Sequence, residues 1–302
     1  MQILPLSESN LKEACSVYNA SVDECDNLSL DWFRFHTLDD PDFCPETTLL
    51  AVEDGRAASF AHGVRREHAN GVSGFIKSFA TLPEYRSRRY AKALFQVIES
   101  HLAGCGVSAV KMGCPAPRYI TPGIDPRLYT PAVDFLMGRG FKYTRMAYNM
   151  DAELAGRNFC TKDAEDALKS KGIIIYRMEP EEKDLLAEFI TAEGWGKNWL
   201  LEATYAMQSN PPGLFVAKKD GKIAGFAACG ALRPGFFGPM GTAASMRGLG
   251  VGKILLKKCL SHMQTMGRDT CHISAVGPLR FYHKSVGAKV SRIFWEMEKP
   301  LI

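Results

Sequence analysis

The sequence has no apolar run long enough to span a membrane. Its opening residues, MQILPLSESNLKEAC, carry neither a basic start nor a long apolar core. A spanning helix and a secretory leader are therefore not expected. The nine cysteines include no C-x-x-C pair and no Cys/His spacing of the zinc-site kind. An odd, unpatterned set fits reduced thiols in a cytosol, mostly packed as small hydrophobes, so a cytoplasmic protein without a metal is predicted. Net charge is only +4. Nucleic-acid binding wants a concentrated basic face, and the short run Arg86, Arg88, Arg89 reads as a solvated surface. What is present is ordinary for a packed protein, 46% hydrophobic and 23% charged residues in a chain of 302. That length suits two domains of about 150 residues each.

The chain repeats itself. Asp54-Gly55 and Asp220-Gly221, 166 residues apart, each sit between two apolar runs, the strongest short hairpin pattern. A third strand and an arginine-led turn into a helix follow in each copy, at Arg86 and Arg247. Those helices close at Gly106 and Gly267, and each copy ends in strand, apolar helix and strand. The predicted order per copy is β-α-α-β-β-β-α-β-α-β, an α/β arrangement with a mixed sheet and helices on its faces. The expected division is a first domain over 1–150, a polar linker with one short helix over 151–171, and a second domain over 172–302. Copy one also carries about fourteen extra residues within CPAPRYITPGIDPRLYTPA, stiffened by Pro115, Pro117, Pro122, Pro126 and Pro131. This loop either shapes an acceptor site or closes a vacant cleft.

The stretch SMRGLGVGKILLKKCL, starting at Ser245, is a glycine-rich turn feeding a helix, which points to phosphate. It is not a Walker loop, because Lys253 is followed by Ile254 rather than a hydroxyl. Nor is it a dinucleotide fingerprint, because Gly252 comes one residue early after Gly248-x-Gly250. What remains is R-x-x-G-x-G at Arg247, Gly250 and Gly252, after a strand and before an amphipathic helix. With the closing segment RFYHKSVGAKV, this resembles the GNAT superfamily of N-acetyltransferases, and the resemblance covers both halves of the chain.

The resemblance implies two tandem GNAT-like acyl-CoA N-acyltransferase domains, with acetyl-CoA as donor and a small-molecule amine, such as an amino sugar, as acceptor. It implies that Arg247, Gly248, Leu249, Gly250, Val251, Gly252 and Lys253 cradle the pyrophosphate, and that Met240, Gly241 and Thr242 face the pantetheine arm. Tyr282 would protonate the departing thiolate. Copy one departs twice, with Arg89 at the motif's first glycine and Leu136 in the place of Tyr282. Arg89 should crowd the turn, although it could also contact phosphate. Copy two is accordingly expected to be catalytic and copy one degenerate. Glu193 and His272 are candidate bases, beside a water relay. Trp195 and Trp199 are either core or an acceptor wall, and Asp125 is a candidate acceptor contact from the insertion. The competing reading is a non-catalytic acyl-CoA-binding module on the same duplicated fold. Neither nucleic acid nor membrane is expected as a partner.

Overall fold

The computed structural model describes residues 1–68, 71–113 and 116–301, so Cys114 and Pro115 of the insertion lie outside the described residues. The chain divides into two compact units. The first comprises residues 1–147 with 293–302, and the second comprises 148–292.

The first unit runs β1 (Gln2–Pro5), α1 (Leu11–Asn19), α2 (Leu30–His36), β2 (Thr48–Glu53), β3 (Arg56–His68), β4 (Gly71–Thr81), α3 (Tyr90–Gly104), β5 (Ala109–Met112) and α4 (Thr130–Gly138). The start of β6 (Lys142–Glu153) and the end of β12 (Lys289–Pro300) complete it. The second unit takes the rest of β6, then α5 (Lys162–Lys169), β7 (Ile173–Arg177), α6 (Lys183–Ala192), α7 (Gly196–Gln208), β8 (Leu214–Lys219), β9 (Lys222–Cys229) and β10 (Phe236–Thr242). It ends with α8 (Val251–Thr265), β11 (Thr270–Ile273), α9 (Leu279–Val286) and the start of β12. Both copies follow the order expected from the repeat. Both hairpin turns have two left-handed residues, with φ of 50° and 76° at Asp54-Gly55 and of 50° and 78° at Asp220-Gly221. That is the turn whose twist matches paired strands.

The unit boundaries differ from the division at 150 and 172. The sheet of the first unit is ordered β1-β2-β3-β4-β5-β12, with Met297 opposite Met112 and Pro300 opposite Ala109. That of the second is β7-β8-β9-β10-β11-β6, with Thr270 opposite Glu153 and Ile273 opposite Met150. Each sheet is thus closed by the final strand of the other repeat. The stretch 151–153, expected at the start of the linker, is strand, and residues 293–302 belong to the first unit.

Alternation along β2 builds two cores in the first unit. Leu49 and Ala51 face α3 with Leu94, Phe95 and Ile98, while Leu50 faces α1 and α2 with Ala14 and Phe33. The pattern matters for function because of one divergence. The parallel pair β4–β5 is recorded at Gly74–Ile76, yet β4 continues to Thr81. In the second unit β10 pairs with β11 at Phe236 and Phe237 and then runs on to Thr242, past a register shift between Phe237 and Met240. A strand that outruns its neighbour leaves backbone N–H and C=O groups needing partners.

Candidate active site

Both units place the same loop beyond that divergence. In the second, Arg247 is extended (φ −65°, ψ 145°), Gly248 is left-handed (φ 81°), and Gly250 caps α8 at φ 88°, ψ −1°. In the first, Arg86 is extended (φ −63°, ψ 155°), Ser87 is left-handed (φ 63°), and Arg89 caps α3 at φ 69°, ψ 8°. The turn expected to suffer from Arg89 therefore forms, with Arg89 and Ser87 exposed. A side chain in the left-handed region costs about 1–2 kcal/mol per residue, which the rest of the unit sustains.

The starts of these two helices share a left-handed residue at the N-cap. Neither Arg89 nor Gly250 gives a side-chain cap, and neither helix has an acidic residue in its first turn. Instead Lys92 and Lys253 occupy the third helical position. A helix N-terminus carries unsatisfied N–H groups and a partial positive charge, so a lysine there is unfavourable by itself. An anion resolves the conflict, and the pyrophosphate of coenzyme A fits: it would take the free N–H groups of the first turn and the neighbouring cations. In the first unit those cations are Arg86, Arg88, Arg89 and Lys92.

Beneath the first loop lies a cavity of about 790 Å³, within the size range of small-molecule sites. It is lined by the loop itself, at Arg86, Arg89 and Lys92, and by β4 from Lys77 to Thr81, with Phe135 of α4. The segment after α1, with Asp23 and Asp26, and the insertion, with Ile120, Leu128 and Tyr129, complete the lining. The insertion therefore lines a cavity in its own unit. The Tyr129 hydroxyl donates to Asp26 Oδ2 at 2.5 Å and accepts from the Asp23 N–H at 3.1 Å. Burial first, and then the Asp26 bond, push the Tyr129 phenol well above its ordinary pKa, so it stays a donor. Asp125 is fully buried in the same unit and spends Oδ1 on the Arg127 N–H at 3.0 Å.

The first unit also buries a charge cluster. Lys77, which lines the cavity, bonds Asp40 Oδ2 and donates to the His36 carbonyl at 2.7 Å. Arg66 reaches Asp40 at 2.8 Å, Asp42 at 2.5 Å and the Pro117 carbonyl at 2.9 Å. Burial alone would raise the Asp40 carboxyl, but Lys77 and then Arg66 hold it well below the carboxylate range. His62 is fully buried with Nδ1 against Thr48 Oγ1 at 3.1 Å; burial and then Lys77 push its pKa well down. None of these residues stands out in sequence, because the ion pairs are 24 to 37 positions apart.

The residues anticipated in the second unit are placed as follows. Arg247 to Gly250 and Lys253 are exposed, while Val251 is buried. Met240 and Thr242 reach the start of α8: a Cβ on Gly252 would lie 3.4 Å from Met240 Cε, 3.3 Å from Thr242 Oγ1 and 3.7 Å from Phe281 Cζ. Tyr282 is 7% exposed and sits in the core against Phe237 and Phe281. Burial, then Cys271 and Cys259, push its phenol well up. Trp195 meets Phe189 edge-on, Trp199 meets Phe226 edge-on, and the two indoles lie tilted against each other, which is core packing at a partly exposed edge. Glu193 is the C-cap of α6, and His272 Nδ1 lies 2.9 Å from Asp151 Oδ1. Trp195 covers Gly241 so closely that a Cβ there would stand 2.1 Å from the indole. Gly241→Ala should therefore cost about 1–3 kcal/mol by overpacking and shift the tryptophan emission, as a denaturant melt followed by fluorescence would read. An unchanged midpoint and spectrum would contradict this packing.

Comparison with known proteins follows the same lines. The family model described as Acetyltransferase (GNAT) family matches residues 14–118 and again 178–288. A mycothiol acetyltransferase of Thermomonospora curvata is 24% identical over 232 residues, 73% of this chain and 70% of that protein. A solved fungal glucosamine N-acetyltransferase region, part of a multi-domain β-N-acetylglucosaminidase, superposes with TM-score 0.79 at 15% identity over 98% of this chain, which spans 38% of that protein's length. A tandem GNAT protein from the clavulanic acid biosynthesis pathway gives TM-score 0.68 at 13% identity, covering 100% of this chain and 98% of the other. At these identities the structural likenesses speak for the fold. The family match covers most of the chain, and each of its two stretches contains one Asp-Gly hairpin turn and one arginine-led loop that enters a 15-residue helix through a left-handed N-cap: the chain belongs to the acetyltransferase (GNAT) family, as a tandem member, with acetyl-CoA as its cofactor.

Proposed function

We propose that the chain is an N-acetyltransferase that passes the acetyl group of acetyl-CoA to a small amine, and that donor and amine meet in the cavity of the first unit. The observation carrying this reading is the mixed charge of that cavity's lining, which joins Arg86, Arg89 and Lys92 of the loop and helix start to Asp23 and Asp26. The cations suit a pyrophosphate and the carboxylates an ammonium, so one cavity would offer contacts to both donor and amine. Lys92 and the first-turn N–H groups would hold the phosphates. Backbone groups of β4 beyond Ile76 would hold the pantetheine arm, and Tyr129 with Asp26 would orient the amine. Bound this way, acetyl-CoA supplies the activated acyl group, and the cavity supplies proximity.

A second reading rests on the intact glycines of the other loop. In it transfer takes place in the second unit, with Arg247 to Lys253 on the pyrophosphate, Met240 to Thr242 on the pantetheine and Tyr282 as acid. Trp195, Trp199 and Glu193 would then border the amine. An amino sugar or amino-sugar conjugate is the first acceptor class to try, supported by the glucosamine and mycothiol names of the two relatives. The unpatterned cysteines support a reducing, cytoplasmic setting.

Thiol release from acetyl-CoA, followed against a panel of small primary amines and amino sugars, tests the activity. Amine-dependent release at a rate well above the amine-free control is the expected result. Tight acetyl-CoA binding without release for any amine would replace the enzyme by an acyl-CoA-binding module.

A further inference from the structure

We propose that Cys44, Glu46 and His101 form a binding site for a divalent metal ion in the first unit, with zinc the ion their chemistry suits best. The three side chains come from two separate elements. Cys44 and Glu46 lie in the turn that leads into β2, and His101 lies in the last turn of α3. Their ligand atoms all fall within 4.8 Å of one another. Cys44 Sγ stands 3.0 Å from Glu46 Oε2 and 3.7 Å from His101 Nε2.

These distances can be set against a tetrahedral zinc site. Zn–S of about 2.3 Å and Zn–N or Zn–O of about 2.0–2.1 Å place neighbouring ligand atoms roughly 3.4–3.6 Å apart. The sulfur–nitrogen separation of 3.7 Å lies within about 0.2 Å of that range. The sulfur–oxygen separation is that of a thiol donating its proton to a carboxylate, and replacing the proton by a metal requires it to open by about 0.6 Å. Glu46 is exposed, so its side chain is free to make that move.

The turn that presents two of the ligands is held in place. The Thr47 N–H donates to the Cys44 carbonyl at 3.1 Å, and the Thr47 hydroxyl, itself buried, reaches the Gly63 carbonyl at 2.8 Å. Thiolate, imidazole and carboxylate together are a zinc-type donor set, softer than the all-oxygen sets of calcium and magnesium. Three protein ligands at a partly exposed site leave a fourth position for water. No short spacing in the sequence announces this site, since His101 stands 55 residues after Glu46.

The proton balance is specific. A thiol has an ordinary pKa of about 8.5 and is protonated at neutral pH, and here Cys44 Sγ donates to Glu46 Oε2. Binding breaks the S–H bond, forms the S–metal bond and releases one proton to solvent. The imidazole enters as the neutral base through Nε2.

Titrating the chelator-treated full chain with Co²⁺ should give a thiolate-to-cobalt absorption band saturating at one equivalent. Zn²⁺ calorimetry in two buffers of different ionisation enthalpy should report about one proton released. Zinc at a hundredfold excess over its dissociation constant should raise Tm by about 5–10 °C. Cys44→Ser should abolish the band and the Tm rise, and His101→Gln should weaken binding at least tenfold. Both are partly exposed changes that should leave the metal-free melt near wild type. Cys105→Ser, one turn from His101 and exposed, should change nothing. Saturation that persists in Cys44→Ser, loss of binding in Cys105→Ser, or no saturation at one equivalent below millimolar metal would each overturn the site.

Discussion

Lys92→Glu should raise the KM for acetyl-CoA about 100-fold, by loss of charge-assisted phosphate contact and the added repulsion. Lys253→Glu, the same change in the second unit, should leave acetyl transfer within about twofold. The two lysines are matched. Each is exposed, each occupies the third position of a 15-residue helix, and each helix begins at a left-handed residue without a side-chain cap. A glutamate at this position is favourable to a helix start, where it meets free N–H groups and the positive end of the dipole. Neither variant should therefore lose stability, and a small gain in Tm is expected. A fall in activity beside an unchanged or higher Tm identifies a place where the sequence keeps a cation against the preference of the helix. If Lys253→Glu is the variant that loses activity, the reaction belongs to the second unit and the role of Tyr282 becomes the question. Tyr282→Phe should then cost about 10²–10⁴ in kcat. Two variants that both transfer normally would remove the phosphate reading of these loops altogether.

The repeat is legible because its parts are local. Asp-Gly turns, helix-closing glycines and the run from Arg247 to Lys253 each announce themselves within a few residues, and the element order follows from them. The strand exchange is not legible. β6 and β12 are the same length, 12 residues each, and occupy the same place in their repeats. Either could close either sheet, and a pairing partner as distant as Met297 is from Met112, or Thr270 from Glu153, leaves no mark on local pattern. The expected degeneracy of copy one rests on Leu136 and, more heavily, on Arg89. Glycine is the usual left-handed residue, so an arginine at that position looks like a defect. In the structure Arg89 holds that conformation with its side chain exposed, and as an arginine it adds positive charge to the lining of the cavity proposed for the donor. Asp26 and Tyr129, 103 residues apart, meet only through the fold. So do Asp40, Arg66 and Lys77, whose placement depends on strand register and helix docking rather than on spacing.

Asp40→Asn should destabilise the first unit by about 3–5 kcal/mol, the cost of breaking a buried ion cluster by removing one partner. Lys77 and Arg66 are essentially inaccessible to solvent, with side-chain exposures of 0% and 2%, and the variant leaves their charges facing a neutral amide. Lys77→Met should cost less, since Asp40 keeps Arg66 and Arg66 keeps Asp42. The double variant Asp40→Asn, Lys77→Met should be more stable than Asp40→Asn alone, because it takes out the charge that the first change stranded; coupling of this kind is what contacting pairs show. Denaturant midpoints for the four proteins decide it, and a double variant that merely sums the single losses would mean that Lys77 and Asp40 do not compensate each other. The same cluster sets the response to acid. His62 has its folded pKa depressed, so its neutral form contributes fully above the unfolded value of about 6.5 and that contribution is lost as pH falls below it, at up to roughly 1.4 kcal/mol per unit. Asp40 is depressed as well, but from about 3.9, so its loss begins only near pH 4. Stability should therefore begin to fall as pH drops below about 6.5 on account of a buried imidazole, while the carboxylate that holds the cluster together is still charged. Because Lys77 is part of the cavity wall, acetyl transfer should decline below the same pH, in step with the folded fraction rather than with a titration of the substrate.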